Sequence, residues 1–446
     1  VPDPLTASRL PRHFAGLMRD LLGRNPPEKM AVAVSGGSDS MALALLAAPW
    51  AEKAGVELTA LTVDHGLRPA AASEAKQVAG WLGQRGLKTR ILTWTGPHPE
   101  TGIQEAAREA RYDLMASYCD AEGIGVLLLG HQLEDQLETL LMRLSKGSGL
   151  EGLAAMQTES RRGSLRLLRP LLGLRRDLLR EYLHREKQAW IDDPSNENPV
   201  FTRTRVGAVL TELQQLPGSD LEAIALSLAR LQRANDSLDQ LARQQLEEAA
   251  EISPYGFVRL PRAVLEQQPE EIALRMLSIL FGATNGGQRL RLQALEQIHA
   301  RLIARGEGKS ATLGGAQMIK SGKDWLFCRE PGRAGLPVLD IDRQRTEWLW
   351  DNRFTVTDLA PAEPLPTGLI VRALGPEGWA QLETEALAAE VRRLPAKVRY
   401  SLPALYLRGE IVAAPGLMTG KQAETDLNRR FKWRFRAFYW MAAAIS

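Results

Sequence analysis

Short apolar runs alternate with amphipathic stretches through the first half of the chain. The run AVAV at 31–34 has no polar break and predicts a strand buried on both faces; MALALL at 41–46 predicts the opening of a helix just beyond it. The stretches 56–63 (VELTALTV), 88–94 and 125–129 predict three further strands. Between them, 70–85 and 104–118 carry apolar residues at helical spacing, as does LEDQLETLLMRL at 133–144. Repeated strand, helix, strand predicts an α/β domain with a doubly wound parallel sheet.

The pattern changes after residue 216. Pro217-Gly218 reads as a hinge, 220–251 as one long helix, and 263–280 and 289–304 as two more, closing in a hairpin across Ser321-Gly322. The stretch 330–337 (EPGRAGLP) reads as a linker, and short strands are predicted at 368–373, 404–407 and 411–414. The expected division is an N-terminal catalytic domain at 1–216, a mainly helical middle domain at 217–332 and a small mixed, β-rich C-terminal domain at 338–446. The segment RRFKWRFRAF at 429–438 alternates cations with aromatics. As a strand it would present Arg430, Lys432, Arg434 and Arg436 on one face and bury Phe431, Trp433 and Phe435 on the other. That stripe suits a phosphate backbone, and it equally suits an edge strand protected by charge.

Composition narrows the class. With 446 residues there is room for about three domains, and no apolar run approaches a membrane span. The amphipathic N-terminal segment lacks an apolar signal core, so a cytoplasmic protein is expected. A formal charge of +3 is nearly neutral for this length, so a nucleic-acid partner would have to be met by a local patch. Cys119 and Cys328 lie far apart and near no other metal-type cluster, which argues against a disulfide framework or a zinc site.

The chemistry gathers at predicted strand ends. SGGSDS at 35–40 joins a buried strand to a helix, so main-chain N–H groups from Ser35, Gly36, Gly37, Ser38, Asp39 and Ser40 would converge on an anion. Asp64-His65-Gly66 ends the second strand and Gly130-His131 the fourth. Asp135 and Glu138 are three apart on a helix and share a face close to that edge, which suggests magnesium beside a nucleotide. Glu134, Asp135 and Glu138 are also what a solvated helix N-terminus would carry. Arg108 and Arg111 lie one turn apart, and TRTR at 202–205 brings Arg203 and Arg205, either phosphate ligands or surface arginines before a helix.

Together these motifs resemble a known family. SGGSDS, without the lysine of a Walker loop, resembles the pyrophosphate-binding loop of the N-type ATP pyrophosphatases, whose fold is adenine nucleotide alpha hydrolase-like. The set DHGLR at 64–68, EAAREARY, GHQLEDQLET at 130–139, KGSG at 146–149, RPLL at 169–172, DPSN and TRTR resembles the tRNA(Ile)-lysidine synthetases through about the first half of the chain. The resemblance implies ATP and Mg²⁺ as cofactors. It also implies a reaction in which the wobble cytidine of a tRNA(Ile) with a CAU anticodon is adenylated at its C2 oxygen and free L-lysine displaces AMP.

Carried over by position, Asp39, Arg111, His131, Asp135, Glu138 and an arginine of TRTR, Arg203 or Arg205, fall on active-site positions. Asp39 and Asp135 are expected at magnesium or ATP, Glu138 at the lysine amine or metal, and the arginines at phosphates and the intermediate. ATP is expected at Ser35 to Ser40 with Asp64, His65 and Gly130, and tRNA at Arg430, Lys432, Arg434 and Arg436. No membrane partner is implied, and a homodimer is left open. Glu134-Asp135 stands where many members have two aspartates, and Thr202 where an asparagine often stands.

Other adenylating pyrophosphatases remain as alternatives. A tRNA thiolase needs paired cysteines, and neither Cys119 nor Cys328 lies in a motif. An enzyme amidating a small substrate leaves the basic, aromatic tail without a use, and a non-catalytic tRNA-binding protein has no need of Asp39, Asp135 and Glu138.

Overall fold

The structure, a computed structural model, describes residues 5–67, 70–96, 103–192, 202–215, 221–288, 290–332, 335–382, 388–417 and 426–436. The chain divides into two compact units, residues 1–235 and 236–446.

In the first unit α1 (Leu10–Leu22) leads to β1 (Lys29–Ala33), α2 (Ser38–Ala54), β2 (Glu57–Asp64), α3 (Ala71–Gln84), β3 (Lys88–Thr93), α4 (Ile103–Ala121) and β4 (Val126–Leu128). Then follow α5 (Leu133–Leu144), α6 (Leu150–Leu153), β5 (Glu159–Arg162), β6 (Leu165–Leu168), α7 (Arg176–Arg185) and α8 (Thr202–Gln215), and the helix α9 (Leu221–Ala249) begins in this unit and ends in the second. The strands form one sheet in the order β3-β2-β1-β4-β6-β5, parallel except for β5.

Alternation along β1 sorts its side chains between two cores. Met30, Val32 and Val34 pack with α1, α2 and α7, whereas the smaller Ala31 and Ala33 meet Met115, Ala116 and Cys119 of α4 on the opposite face. Helix α2 is buried all round from Ser40 to Ala47, which explains its lack of a polar face. Strand β3 lies at the sheet edge and reads polar for that reason, with Ile91 41% exposed. The ribbon β5–β6 was not legible in the sequence: its strands are four residues each, and β5 (ESRR) has no apolar member.

The second unit contains the strands β7 (Glu251–Ser253), β8 (Phe257–Pro261), β9 (Ser310–Leu313), β10 (Ala316–Ser321) and β11 (Asp324–Arg329). They pair antiparallel in the order β7-β8-β11-β10-β9. Against them lie the helices α10 (Arg262–Glu266), α11 (Glu270–Thr284) and α12 (Leu292–Ile298). The long helix α9 and the Ser321-Gly322 hairpin are present; the stretch expected as one helix at 263–280 is two, α10 and α11, parted at Pro269, and the sheet is an addition to them. Next come β12 (Leu339–Asp340), β13 (Glu347–Trp350), β14 (Phe354–Asp358), β15 (Leu369–Ala373), β16 (Pro403–Leu407), β17 (Glu410–Ala413) and β18 (Phe431–Phe435). These make a four-stranded sheet β12-β15-β16-β17 and a three-stranded sheet β13-β14-β18. No helix among the described residues is long and apolar enough to cross a membrane.

Candidate active site

The turn from β1 into α2 builds the centre of the site. Gly36 has φ +94°, and a Cβ there would stand 2.8 Å from Val78 and 3.0 Å from Ile191. Its carbonyl accepts the Ile191 N–H at 2.9 Å, which ties the loop to the segment after α7. The Ser40 hydroxyl braces the loop from inside, donating to the Gly37 carbonyl at 3.0 Å and accepting from the Ser35 N–H at 3.2 Å. No side chain caps the N-terminus of α2, so its first-turn N–H groups and the helix dipole face outward as an anion cradle.

Gly130 brings the end of β4 against this turn. A Cβ at Gly130 would fall 2.9 Å from Ser40 Cα and 3.0 Å from Ser40 N, so only glycine allows the approach. The chain then enters α5 through a reciprocal cap. The Gln132 side chain accepts the Glu134 N–H while the Asp135 carboxylate accepts the Gln132 N–H at 3.1 Å. Asp135 and Glu138 are thereby buried on one face of the helix.

Asp39 and Asp135 converge on Arg176. Its Nε lies 3.5 Å from Asp39 Oδ2 and its guanidinium 3.6 Å from Asp135 Oδ1. Burial pushes the Asp39 carboxyl above its ordinary value; Arg176 opposes the shift, Asp135 adds to it, and Ser38 and Gln132 oppose it. Burial would lower the Arg176 guanidinium, but Asp39, Asp135, Glu138 and Glu134 together hold it above its usual value. Arg176 is the residue that sequence reasoning missed: no local motif marks it, and its partners Asp39 and Asp135 lie far away in the chain. The spelling Glu134-Asp135 also gains a reason, because the longer Glu134 carboxylate accepts the Arg176 main-chain N–H at 3.0 and 3.3 Å.

The other expected residues lie as follows. Asp64 and His65 shape the exit of β2: Asp64 Oδ1 accepts the Gly66 N–H at 3.0 Å and His65 Nδ1 the Leu67 N–H at 3.2 Å. His131 is half-buried directly after Gly130. Glu138 faces α8, where a Cβ on Gly207 would meet its Oε1 at 3.7 Å. TRTR forms the first turn of that helix rather than an extended segment, so Arg203 and Arg205 straddle its faces; Arg205 is exposed, and the side chain of Arg203 lies outside the described residues. Arg111 is exposed on α4, and its charged neighbour is Arg108.

The C-terminal stripe needs one correction. Arg430 ends a short helix, α16 by order after α13 (Gly375–Gln381), α14 (Ala389–Arg392) and α15 (Ala396–Tyr400), that spans Asp426–Arg430. It is therefore out of the alternation of β18. It is buried, donates to both oxygens of Asp358 at 2.7 Å, and also donates to the carbonyls of Glu363 and Pro364. A guanidinium so occupied is not available to a phosphate. Lys432 and Arg434 are exposed on one face of β18, Phe431 and Phe435 are buried on the other, and Arg436 follows half-buried.

A strand-to-helix anion loop with an aspartate in its first turn, opposed by a second acid from a neighbouring strand end, defines an ATP-using PP-loop domain. The model of the PP-loop domain family matches residues 8–213. The tRNA(Ile)-lysidine synthase of Ruegeria pomeroyi is 34% identical over 415 residues, covering 92% of this chain and 94% of that protein. Those of Mesorhizobium japonicum (36% identical, 83% of each chain) and Methylobacterium sp. strain 4-46 (40%, 68% of this chain and 89% of that protein) are similar to it as well. The chain belongs to the tRNA(Ile)-lysidine synthase family.

Proposed function

We propose that this site joins the ε-amine of free lysine to C2 of the wobble cytidine of tRNA(Ile) with a CAU anticodon. Family membership makes the chain a ligase that uses ATP and forms lysidine on tRNA(Ile). The observation that carries the residue assignment is the convergence of Asp39 and Asp135 on one cationic point beside the open N-terminus of α2.

In the first step the cytidine O2 attacks the α-phosphorus of ATP and the bond to pyrophosphate breaks. The N–H groups from Gly36 to Ser40 and the hydroxyls of Ser35 and Ser38 hold the departing pyrophosphate. Asp39 and Asp135 fit Mg²⁺: two carboxylates facing one point are the share a protein supplies when phosphates provide the other ligands. Mg²⁺, when bound, neutralises charge on the phosphates. Asp64, His65 and Gly130, on the same sheet edge, are assigned to the nucleotide.

In the second step the lysine amine attacks C2, the C2–O bond to AMP breaks, and the amine proton passes to a base. Glu138, buried and facing α8, is assigned to the amine. Arg111, Arg203 and Arg205 are assigned to phosphates of the intermediate, and His131 to the same centre. Residues 1–216 form the catalytic domain in this reading; 217–332 and 338–446 serve the tRNA, with Lys432, Arg434 and Arg436 on its backbone and a homodimer as the assembly. Both thiols are held protonated by burial, Cys119 pushed up to about 11 and Cys328 to about 12, which suits an amine as the nucleophile rather than sulfur chemistry.

The test is Asp39→Asn and Asp135→Asn assayed for tRNA-dependent pyrophosphate release and for tRNA binding. Release is expected to be lost with binding intact; undiminished release in either variant would remove that residue from the site.

A further inference from the structure

Arg176 is the charged group at this centre that the roles above do not use. Its backbone is fixed from outside the acid pair, since its N–H, the first of α7, is bound by the Glu134 carboxylate. Its guanidinium reaches over to Asp39 and Asp135 from a third element. Both ion-pair distances, 3.5 and 3.6 Å, exceed the about 2.8 Å of a charge-assisted hydrogen bond. The side chain keeps 34% of its surface exposed. Arg430, by contrast, grips Asp358 at 2.7 Å on both oxygens. Arg176 instead has loose contacts to two acids, an open side, and the anion cradle of α2 next to it.

We propose that Arg176 is a resident counter-cation of the site. It keeps Asp39 and Asp135 together when the site is empty, opposes entry of a divalent ion by itself, and yields the acids when the ion arrives with ATP. A guanidinium released beside the loop meets the phosphate chain as its next anion, so metal entry and nucleotide binding become coupled through one side chain. Arg176 is in this role a positioning residue, and Glu134 sets where it stands. The inference rests on the assignment of Asp39 and Asp135 to the divalent ion.

Mn²⁺ binding to the full chain, read by electron paramagnetic resonance without turnover, tests it. Arg176→Gln is expected to bind Mn²⁺ alone at least about tenfold more tightly than wild type, because a positive charge about 4 Å from both carboxylates is gone. Arg176→Met, which keeps the apolar stem, is expected to behave alike, and Arg176→Lys to restore weak binding. A non-hydrolysable ATP analogue is expected to strengthen Mn²⁺ binding less in the Gln and Met variants than in wild type. Unchanged Mn²⁺ affinity in both neutral variants would overturn the proposal. Asp39→Asn and Asp135→Asn separate it from the reading beneath it. If they leave Mn²⁺ binding with the analogue unchanged, the metal assignment fails; if they weaken it while the Arg176 variants do nothing, only the counter-cation role fails.

Discussion

The Glu134 carboxylate accepts the main-chain N–H of Arg176, at 3.0 Å to one oxygen and 3.3 Å to the other, and so joins the first turn of α5 to the first turn of α7. This is a helix cap delivered across 42 positions of sequence. Glu134→Ala is expected to cost about 1 kcal/mol of stability in the first unit, the usual worth of an N-cap. It is also expected to lower the rate of pyrophosphate release by unseating Arg176. Urea unfolding and a single-turnover release assay measure the two effects; a variant as stable and as fast as wild type would show that the cap is incidental.

Gly130, assigned above to the nucleotide, is also a steric requirement. In Gly130→Ala the new methyl group meets the backbone of Ser40 at 2.9 Å, so β4 and α2 must separate. The expected cost is about 2 kcal/mol from overpacking, together with weaker ATP binding because the anion loop moves with α2. Thermal unfolding and ATP titration monitored by calorimetry check both.

The basic tail divides into two kinds of residue. Arg430→Ala leaves Asp358 buried without its partner and is expected to destabilise the second unit by about 3 kcal/mol. The double variant Lys432→Ala, Arg434→Ala should leave stability unchanged and reduce the salt dependence of tRNA binding by about one unit per lost phosphate contact. A salt slope equal to that of wild type would return β18 to the role of a charge-protected edge.

The same pair predicts a pH dependence. Hydrogen bonds from Arg430 hold the Asp358 carboxyl below its ordinary value, against burial that would raise it. The unfolded chain therefore binds more protons at this position than the folded one. The stabilisation is complete above about pH 4 and is lost as the pH falls through the folded-state value. In Arg430→Ala burial is opposed by the smaller effect of the Ala360 N–H and raises the carboxyl, so this contribution should reverse sign and stability should fall as pH rises. Urea midpoints of the second unit across the acid range, followed by tryptophan fluorescence, measure the slope.

What the sequence made legible follows the physics of each element. Strands buried in the parallel sheet read as unbroken apolar runs, and α4, α5 and α9 read from helical periodicity, because burial on one or two faces imprints itself locally. Strands β7, β8 and β9 escaped because each is only three to five residues long and directly follows a strong helical pattern or a partner strand that does. Arg430 was misplaced because period-two alternation extends through it, whereas the chain turns from helix to strand at Phe431. The anion loop and the Asp135, Glu138 pair were visible since each is a local motif. Arg176 was not, because its meaning lies in Asp39 and Asp135, groups that only the sheet order brings to it.

Incubating the protein with ATP, radiolabelled lysine and an unmodified tRNA(Ile) carrying a CAU anticodon tests lysidine formation itself. Label is expected in the tRNA, with one AMP and one pyrophosphate released for each lysine joined and no label in a tRNA whose wobble base is not cytidine. Pyrophosphate release without lysine in the tRNA, or no reaction with that tRNA, would contradict it.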